Sequence, residues 1–229
     1  MKKCTVFRLG QVNYDEALSF QYELLDKVKE KKRRDSYLGL LEHQPVITLG
    51  KNANKKNLLV SEETLKKKEI LLRQIDRGGD VTYHGPGQVV GYPILSLAHH
   101  EKSVKDYVHT LEQCLIDTLD AFGIKAETIP KYIGVWVNGE KIGFIRLKIS
   151  KGITCHGFSL NINPDMSAFK LINPCGIQDR KMTSMEKILN TKCPSLAEVV
   201  KEYIKHFNER FDFRTVQVKT HLSYIPKVL

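Results

Sequence analysis

The residue best suited to covalent chemistry is a cysteine. Cys175 stands in INPCGIQD, between Pro174, which stiffens the turn, and Gly176, which exposes it. A Pro-Cys-Gly loop suits a nucleophile reached from outside, although a cysteine in a turn can equally be incidental. A thiol with an unperturbed pKa near ~8.5 is only a few per cent thiolate at neutral pH, so a working cysteine needs a nearby cation or base. The candidates are His84 in YHGPG, His156 in CHGFSLN, and a lysine. Gly85 and Gly157 beside the two histidines let backbone N–H groups approach a ligand oxygen; alternatively both histidines hydrogen-bond inside the core. Lys141 follows an Asn-Gly pair and begins an apolar strand, where a lysine ordinarily snorkels to solvent.

The other thiols offer less. Cys114 lies on an apolar helix face and Cys155 in a strand, where cysteine behaves as a small hydrophobe; Cys4 and Cys193 have no activating neighbours in sequence. Five glycines crowd residues 76–93, DRGGDVTYHGPGQVVGYP, a density that lets main chain come close to another segment or a ligand. The stretch is not a nucleotide loop. No G-x-x-x-x-G-K-[ST] is present, and GPGQVVG runs into a strand, not a helix. H-E-x-x-H and G-x-S-x-G are absent, and His99-His100 lacks a third ligand at useful spacing. No metal and no cofactor is expected.

The elements that must position these residues follow from periodicity. CTVFRLG predicts a first strand. Tyr14, Ala17, Leu18, Leu24, Leu25 and Val28 predict a helix behind it. YLGLLEH and VITLG predict strands separated by a bend at Gln44-Pro45. SEETLKKK is a short polar helix, ILLRQID a strand, and QVVGYPILSL a strand in which Pro93 predicts an edge or a bulge. The helix over 103–123 has a capping pair in Ser103 and Asp106, an apolar face of Val104, Tyr107, Val108, Leu111, Leu115 and Leu119, and Gly123 as its stop. YIGVWVNGEKIGFIRLKI reads as a hairpin turning at Asn138-Gly139. GITCHGFSLNIN is a strand and MTSMEKILN a short helix; SLAEVVKEYIKHFNERF is a helix capped by Ser195 and Glu198. With neither repeats nor linkers, this predicts a single α/β domain over residues 1–229, a mixed β-sheet flanked by helices.

Bulk properties narrow the setting. At 229 residues and 41% hydrophobic content the chain can bury one large core. No segment is long and apolar enough for a bilayer, and MKKCTVFRLGQ has no apolar run of the kind a signal peptide needs. Five cysteines without C-x-x-C spacing suggest reduced thiols and a cytoplasmic location. The net charge of +10 points to acidic partners. The basic run KVKEKKRR at 27–34 reads as a solvated helix end, and without a nucleic-acid motif acidic proteins are the better expectation.

Taken together, LLEHQPVITLG (40–50), RGGDVTYHGPGQVVGYP (77–93), GEKIG (139–143), HGFSLNIN (156–163) and INPCGI (172–177) resemble the lipoyl(octanoyl) transferases in order and spacing, over about residues 5–210. The resemblance implies a fold like the catalytic domains of biotin and lipoate protein ligases. It also implies passage of octanoyl from acyl carrier protein to a lysine of lipoyl domains of 2-oxoacid dehydrogenases or of glycine-cleavage H protein. By the same resemblance Cys175 carries the acyl group as a thioester and Lys141 lowers its pKa. Arg77, Gly78, Gly79, Asp80, Val81, Thr82, Tyr83 and His84 would line the substrate site, with Phe144, Ile145, Arg146, Gly157, Phe158 and Ser159. Two positions depart from the pattern: Arg146 stands where glycine is usual, and Ser159 where alanine is usual. The rival readings are an ATP-dependent lipoate or biotin protein ligase on the same fold, which needs no such cysteine, and a non-catalytic basic binding module.

Overall fold

The computed structural model describes residues 2–30, 34–173 and 181–219. In chain order the elements are β1 (Lys2–Val12), α1 (Tyr14–Glu30), β2 (Tyr37–His43), β3 (Val46–Leu49), α2 (Glu62–Lys67), β4 (Leu71–Gln74), β5 (Val81–His84), β6 (Gln88–Ile94), α3 (Val104–Asp120), β7 (Glu127–Ile129), β8 (Tyr132–Val137), β9 (Glu140–Ser150), β10 (Ile153–Asn161), α4 (Met185–Leu189), α5 (Leu196–Phe211) and β11 (Phe213–Lys219). Eight strands form one sheet in the order β11-β1-β2-β6-β10-β9-β8-β7, and β4-β3-β5 form a second. β1 pairs parallel with both β11 and β2, while the pairings from β2 through β6, β10, β9, β8 to β7 are antiparallel. The sheet is mixed, as the sequence predicts. The sequence analysis predicts none of β5, β7 and β11.

Side-chain alternation splits the core across the large sheet. Val89 and Leu160 face α3 and α5, packing with Leu111, Leu115, Tyr203 and Phe207. Val90, Tyr92, Ile94 and Cys155 face the other way, against Phe20, Leu24 and Val28 of α1. Beside α1 the small sheet brings Ile47, Val81 and Tyr83 against Phe144 and Phe169. The candidate site lies on this second face.

Local signals behave as their chemistry requires. Ser103–Asp106 and Ser195–Glu198 both form reciprocal capping boxes. Asn138 and Gly139 take φ of 49° and 76°, the left-handed pair that a two-residue hairpin favours. Val104, expected on the apolar face of α3, is instead 49% exposed at its first turn. Pro93 also departs from expectation: β6 is an inner strand between β2 and β10. It is tolerated because the ladder with β10 is interrupted after Gly91–Phe158 and resumes only at Leu95, where Thr154 N–H donates to Leu95 O at 2.9 Å. Between these points His156 turns to φ 58°, so the imide nitrogen needs no partner. The Pro93 carbonyl accepts from Thr154 Oγ1 at 2.7 Å.

Candidate active site

The glycine-rich stretch is organised by a buried arginine. Arg77 is 2% exposed. Its guanidinium donates to the carbonyls of Gly78 (3.0 Å), Asp80 (2.8 Å) and Thr48 (2.9 Å), and to Thr48 Oγ1 (2.8 Å). The loop of residues 76–80 is thereby tied to β3 by a planar fork whose donors match several carbonyls at once. Gly78 N–H donates to Leu147 O at 2.8 Å, joining the loop to β9. Gly79 has φ 84°, and a Cβ there would meet Arg146 Nε at 2.6 Å. Asp80 turns back into the loop, accepting from its neighbour Val81 N–H (2.8 Å) and from Asn54 N–H (3.1 Å).

A cleft opens between this loop, the site face of the large sheet and β5. It is bordered by Arg77, Thr82, His84, Phe144, Arg146, Gly157, Phe158 and Ser159 from the expected set. Tyr14, Val90, Tyr92 and His156 complete it. Val81 and Tyr83 instead pack into the small-sheet core, Tyr83 edge-on to Phe169 at 5.5 Å. Ile145 faces α3 and α5 on the far side of the sheet. The Phe158 ring also belongs to that far layer, 4.4 Å from Tyr203. The cavity of the cleft is narrow, about 20 Å³, room for roughly one water. A longer ligand enters only if a wall moves, and Arg146 is a long side chain in that wall. Thr82 Oγ1 and Ser159 Oγ are buried without a hydrogen-bond partner among the described residues, a costly state that a ligand would relieve.

Behind the cleft sit charges and histidines. Asp76 accepts from Tyr22 Oη at 3.0 Å and His156 Nε2 at 3.2 Å and pairs with Lys148. These partners outweigh burial and hold its carboxyl down at about 2. Burial pushes His156 down to about 4, with Asp76 opposing, so at neutral pH the ring is uncharged and its Nε2–H donates to Asp76. His43 donates Nδ1–H to Val12 O (3.1 Å) and accepts at Nε2 from Tyr92 Oη (2.6 Å). Burial lowers it to about 4. His84 lies 5.7 Å from His43, ring to ring.

Lys141 reverses its expectation. It does not snorkel; it is 1% exposed. Nζ donates to Ile133 O at 2.6 Å, with the Trp136 and Phe144 ring centroids 5.0 and 5.2 Å away. A carbonyl and two aromatic faces are favourable company for a desolvated ammonium. Its main chain binds the segment 181–183: Lys141 N–H donates to Lys181 O and Thr183 N–H to Lys141 O, each at 2.9 Å. Cys175 lies outside the described residues. On its N-terminal side Asn173 N–H donates to Asn57 O at 2.8 Å. The described cysteines are poor nucleophiles: burial pushes Cys4 and Cys114 far up and Cys155 to about 11, and Cys193 is also raised by burial.

Sequence reasoning missed Tyr14, Val90 and Tyr92 of the cleft, and Gln88 and Asn161, which are hydrogen-bonded in series to His84 beside it. Gln88 lies within the quoted HGPGQ and Asn161 within LNIN, so polar residues at inward positions of apolar strands were the available signal.

Comparison with known proteins agrees with this architecture. The chain is 43% identical to the octanoyltransferase of Desulforamulus reducens, covering 92% of each chain. It is 45% identical to that of Solibacter usitatus, covering 93% of this chain and 95% of the relative. A solved lipoate-protein ligase A bound with ATP superposes with a TM-score of 0.77 at 15% identity, over 98% of this chain and 91% of the ligase. A biotin protein ligase from Aquifex aeolicus gives 0.53 at 14% identity, over 91% and 70%. Both likenesses concern the fold. Residues 13–208 match the family model of the lipoyl protein ligase A/B catalytic domain, and the chain belongs to that family.

Proposed function

We propose that this protein is an acyltransferase that moves octanoyl from acyl carrier protein to a lysine of lipoyl domains or of glycine-cleavage H protein, through a thioester on Cys175. The observation that carries the reading is the likeness to octanoyltransferases, 43% and 45% identical across nine-tenths or more of each chain. The surroundings of Lys141 support it chemically. A buried ammonium hydrogen-bonded through its own main chain to Lys181 and Thr183 suits a group that favours a thiolate on the adjoining stretch. The cleft supports it too, through its aromatic wall and the two partnerless hydroxyls of Thr82 and Ser159, which suit an acyl chain ending in a polar carbonyl.

In the first step the Cys175 thiolate attacks the carrier's thioester; the pantetheine sulfur leaves and takes a proton from the Lys141 ammonium, which becomes the free amine. Exchange of one thioester for another needs no ATP. In the second step a lysine amine attacks, the C–S bond breaks, and the product is an amide. That lysine, with a reference pKa of about 10.4, must lose a proton before attack, a task for Lys141 as free amine. Arg77, Thr82 and His84, together with Phe144, Arg146, Gly157 and Ser159, border the cleft that takes the acyl group. The net charge of +10 suits acidic partner proteins, and the reaction suits the cytoplasm. Among the described residues no helix is long and apolar enough to cross a membrane.

Intact mass spectrometry after mixing with octanoyl-acyl carrier protein tests the reading. Wild type should gain one octanoyl mass that hydroxylamine removes, and Cys175→Ser should gain none. Modification of a lipoyl domain only with ATP and free acid would establish the ligase instead.

A further inference from the structure

A chain of buried amides runs from Thr183 to His84 beside the cleft, and its direction is set by groups that can only accept. Asn161 lies 2.9 Å from Thr183 O, so the atom facing that carbonyl is Nδ2. Its other end, Oδ1, meets Gln88 at 2.8 Å and requires a donor there. The same Gln88 nitrogen also faces Tyr83 O at 3.4 Å. Gln88 therefore turns Oε1 to His84 Nδ1, 2.6 Å away, and that ring nitrogen must bear the hydrogen. A neutral imidazole with Nδ1–H has a bare lone pair on Nε2. His84 borders the cleft, and no hydrogen bond reaches its Nε2 among the described residues.

We propose that His84 presents this Nε2 as a hydrogen-bond acceptor for the N–H of the attacking lysine amine, and that Gln88 and Asn161 are the positioning residues that hold the tautomer. The proposal rests on the transferase reading. As the C–N bond forms, the carbonyl π electrons move to oxygen and the nitrogen becomes positive, so its N–H becomes a stronger donor. The contact with His84 strengthens toward the transition state, which is the condition for it to speed the step. When the C–S bond breaks, the nitrogen's proton ends on the departing sulfur, and no further reactant is needed.

The groups facing His84 keep its ring neutral. Burial dominates; His43 adds to it from β2, Gln88 opposes from β6, and Arg77 and His156 contribute from the loop and β10. The result is a pKa near about 3, which suits an acceptor and not a proton store.

The test separates the two half-reactions in variants whose folding is checked by thermal melting. His84→Leu should slow amide formation by at least about tenfold more than it slows acyl-enzyme formation, with His84→Gln restoring part through its carbonyl. Gln88→Glu puts a carboxylate against Nδ1 and favours the imidazolium, whose Nε2 donates. Its amide-forming rate should fall with decreasing pH through an inflection absent from wild type. The ¹⁵N imidazole spectrum of wild type should show Nδ1–H and unprotonated Nε2 from pH 5 to 8. Protonated Nε2 in that range, or equal slowing of both steps in His84→Leu, would overturn the proposal. Wild type forming no acyl-enzyme would overturn the transferase reading and with it the amine as donor. The spectrum, which needs no substrate, distinguishes that failure from a wrong tautomer.

Discussion

Replacing Arg77 by methionine keeps an unbranched apolar stem and deletes the fork that joins the glycine-rich loop to β3. Among the described residues four hydrogen bonds disappear, to Gly78 O, Asp80 O, Thr48 O and Thr48 Oγ1, in a place where the side chain is 2% exposed. Each hydrogen bond to a charged group is worth about 1.5–3 kcal/mol, and a buried carbonyl left unpaired costs about 1–3. The terms are not additive, because the loop can shift and admit water. Removing one partner of a buried charged network typically costs about 3–5 kcal/mol in total, and that is the expected loss. With a urea slope of about 2–3 kcal/mol/M, the midpoint should fall by about 1–2.5 M. Arg77→Lys should recover part of it, since one ammonium reaches some of these carbonyls without matching the fork. Because β5, which carries Thr82 and His84, directly follows the loop, acyl-enzyme formation should fall with stability. A urea midpoint within about 0.3 M of wild type, at unchanged slope, would refute the claim that Arg77 organises this loop.

Acid should destabilise the protein in a defined window. His43, His100 and His156 are lowered to about 4 and His84 to about 3, burial being the first cause in each. The unfolded chain therefore binds more protons between about pH 6.5 and 4, and stability falls as pH drops through that range by up to about 1.4 kcal/mol per pH unit per histidine. Urea midpoints that stay flat from pH 7 to 5 would contradict it. Arg146→Gly should enlarge the cleft and raise decanoyl over octanoyl transfer by about tenfold, at about 0.8 kcal/mol per extra buried methylene; competing acyl carrier protein substrates measure the ratio, and an unchanged ratio speaks against Arg146 as a wall. In Gly157→Ala a Cβ would lie 2.1 Å from Gly91 O and 2.7 Å from Pro93 Cδ. Strand β10 must shift, for a loss of about 3 kcal/mol and a Tm lower by roughly 6–12 °C; calorimetry showing no change would mean that the strands part freely.

By itself the sequence determined whatever depends on neighbours along the chain. Ser103 with Asp106, Ser195 with Glu198 and Asn138-Gly139 each hold their geometry within a few residues, so element type and boundary were legible there. The quoted motifs, carried in order over most of the chain, were enough to indicate the family. Tertiary structure decided what depends on the environment of a side chain. Lys141 is buried against Trp136 and Phe144 because the pairing of β8 with its own strand β9 sets these rings around it, whereas its sequence neighbours suggested a solvated lysine. Pro93 sits in an inner strand because β10, some sixty residues away, takes a positive φ at His156 and interrupts the ladder opposite the imide. The polarity of the His84 ring follows from Gln88 and Asn161 meeting across the β6–β10 ladder. Propensity and capping act over one turn of chain, but desolvation and hydrogen-bond direction are set by every group that surrounds an atom, and those groups are assembled only when the sheet closes.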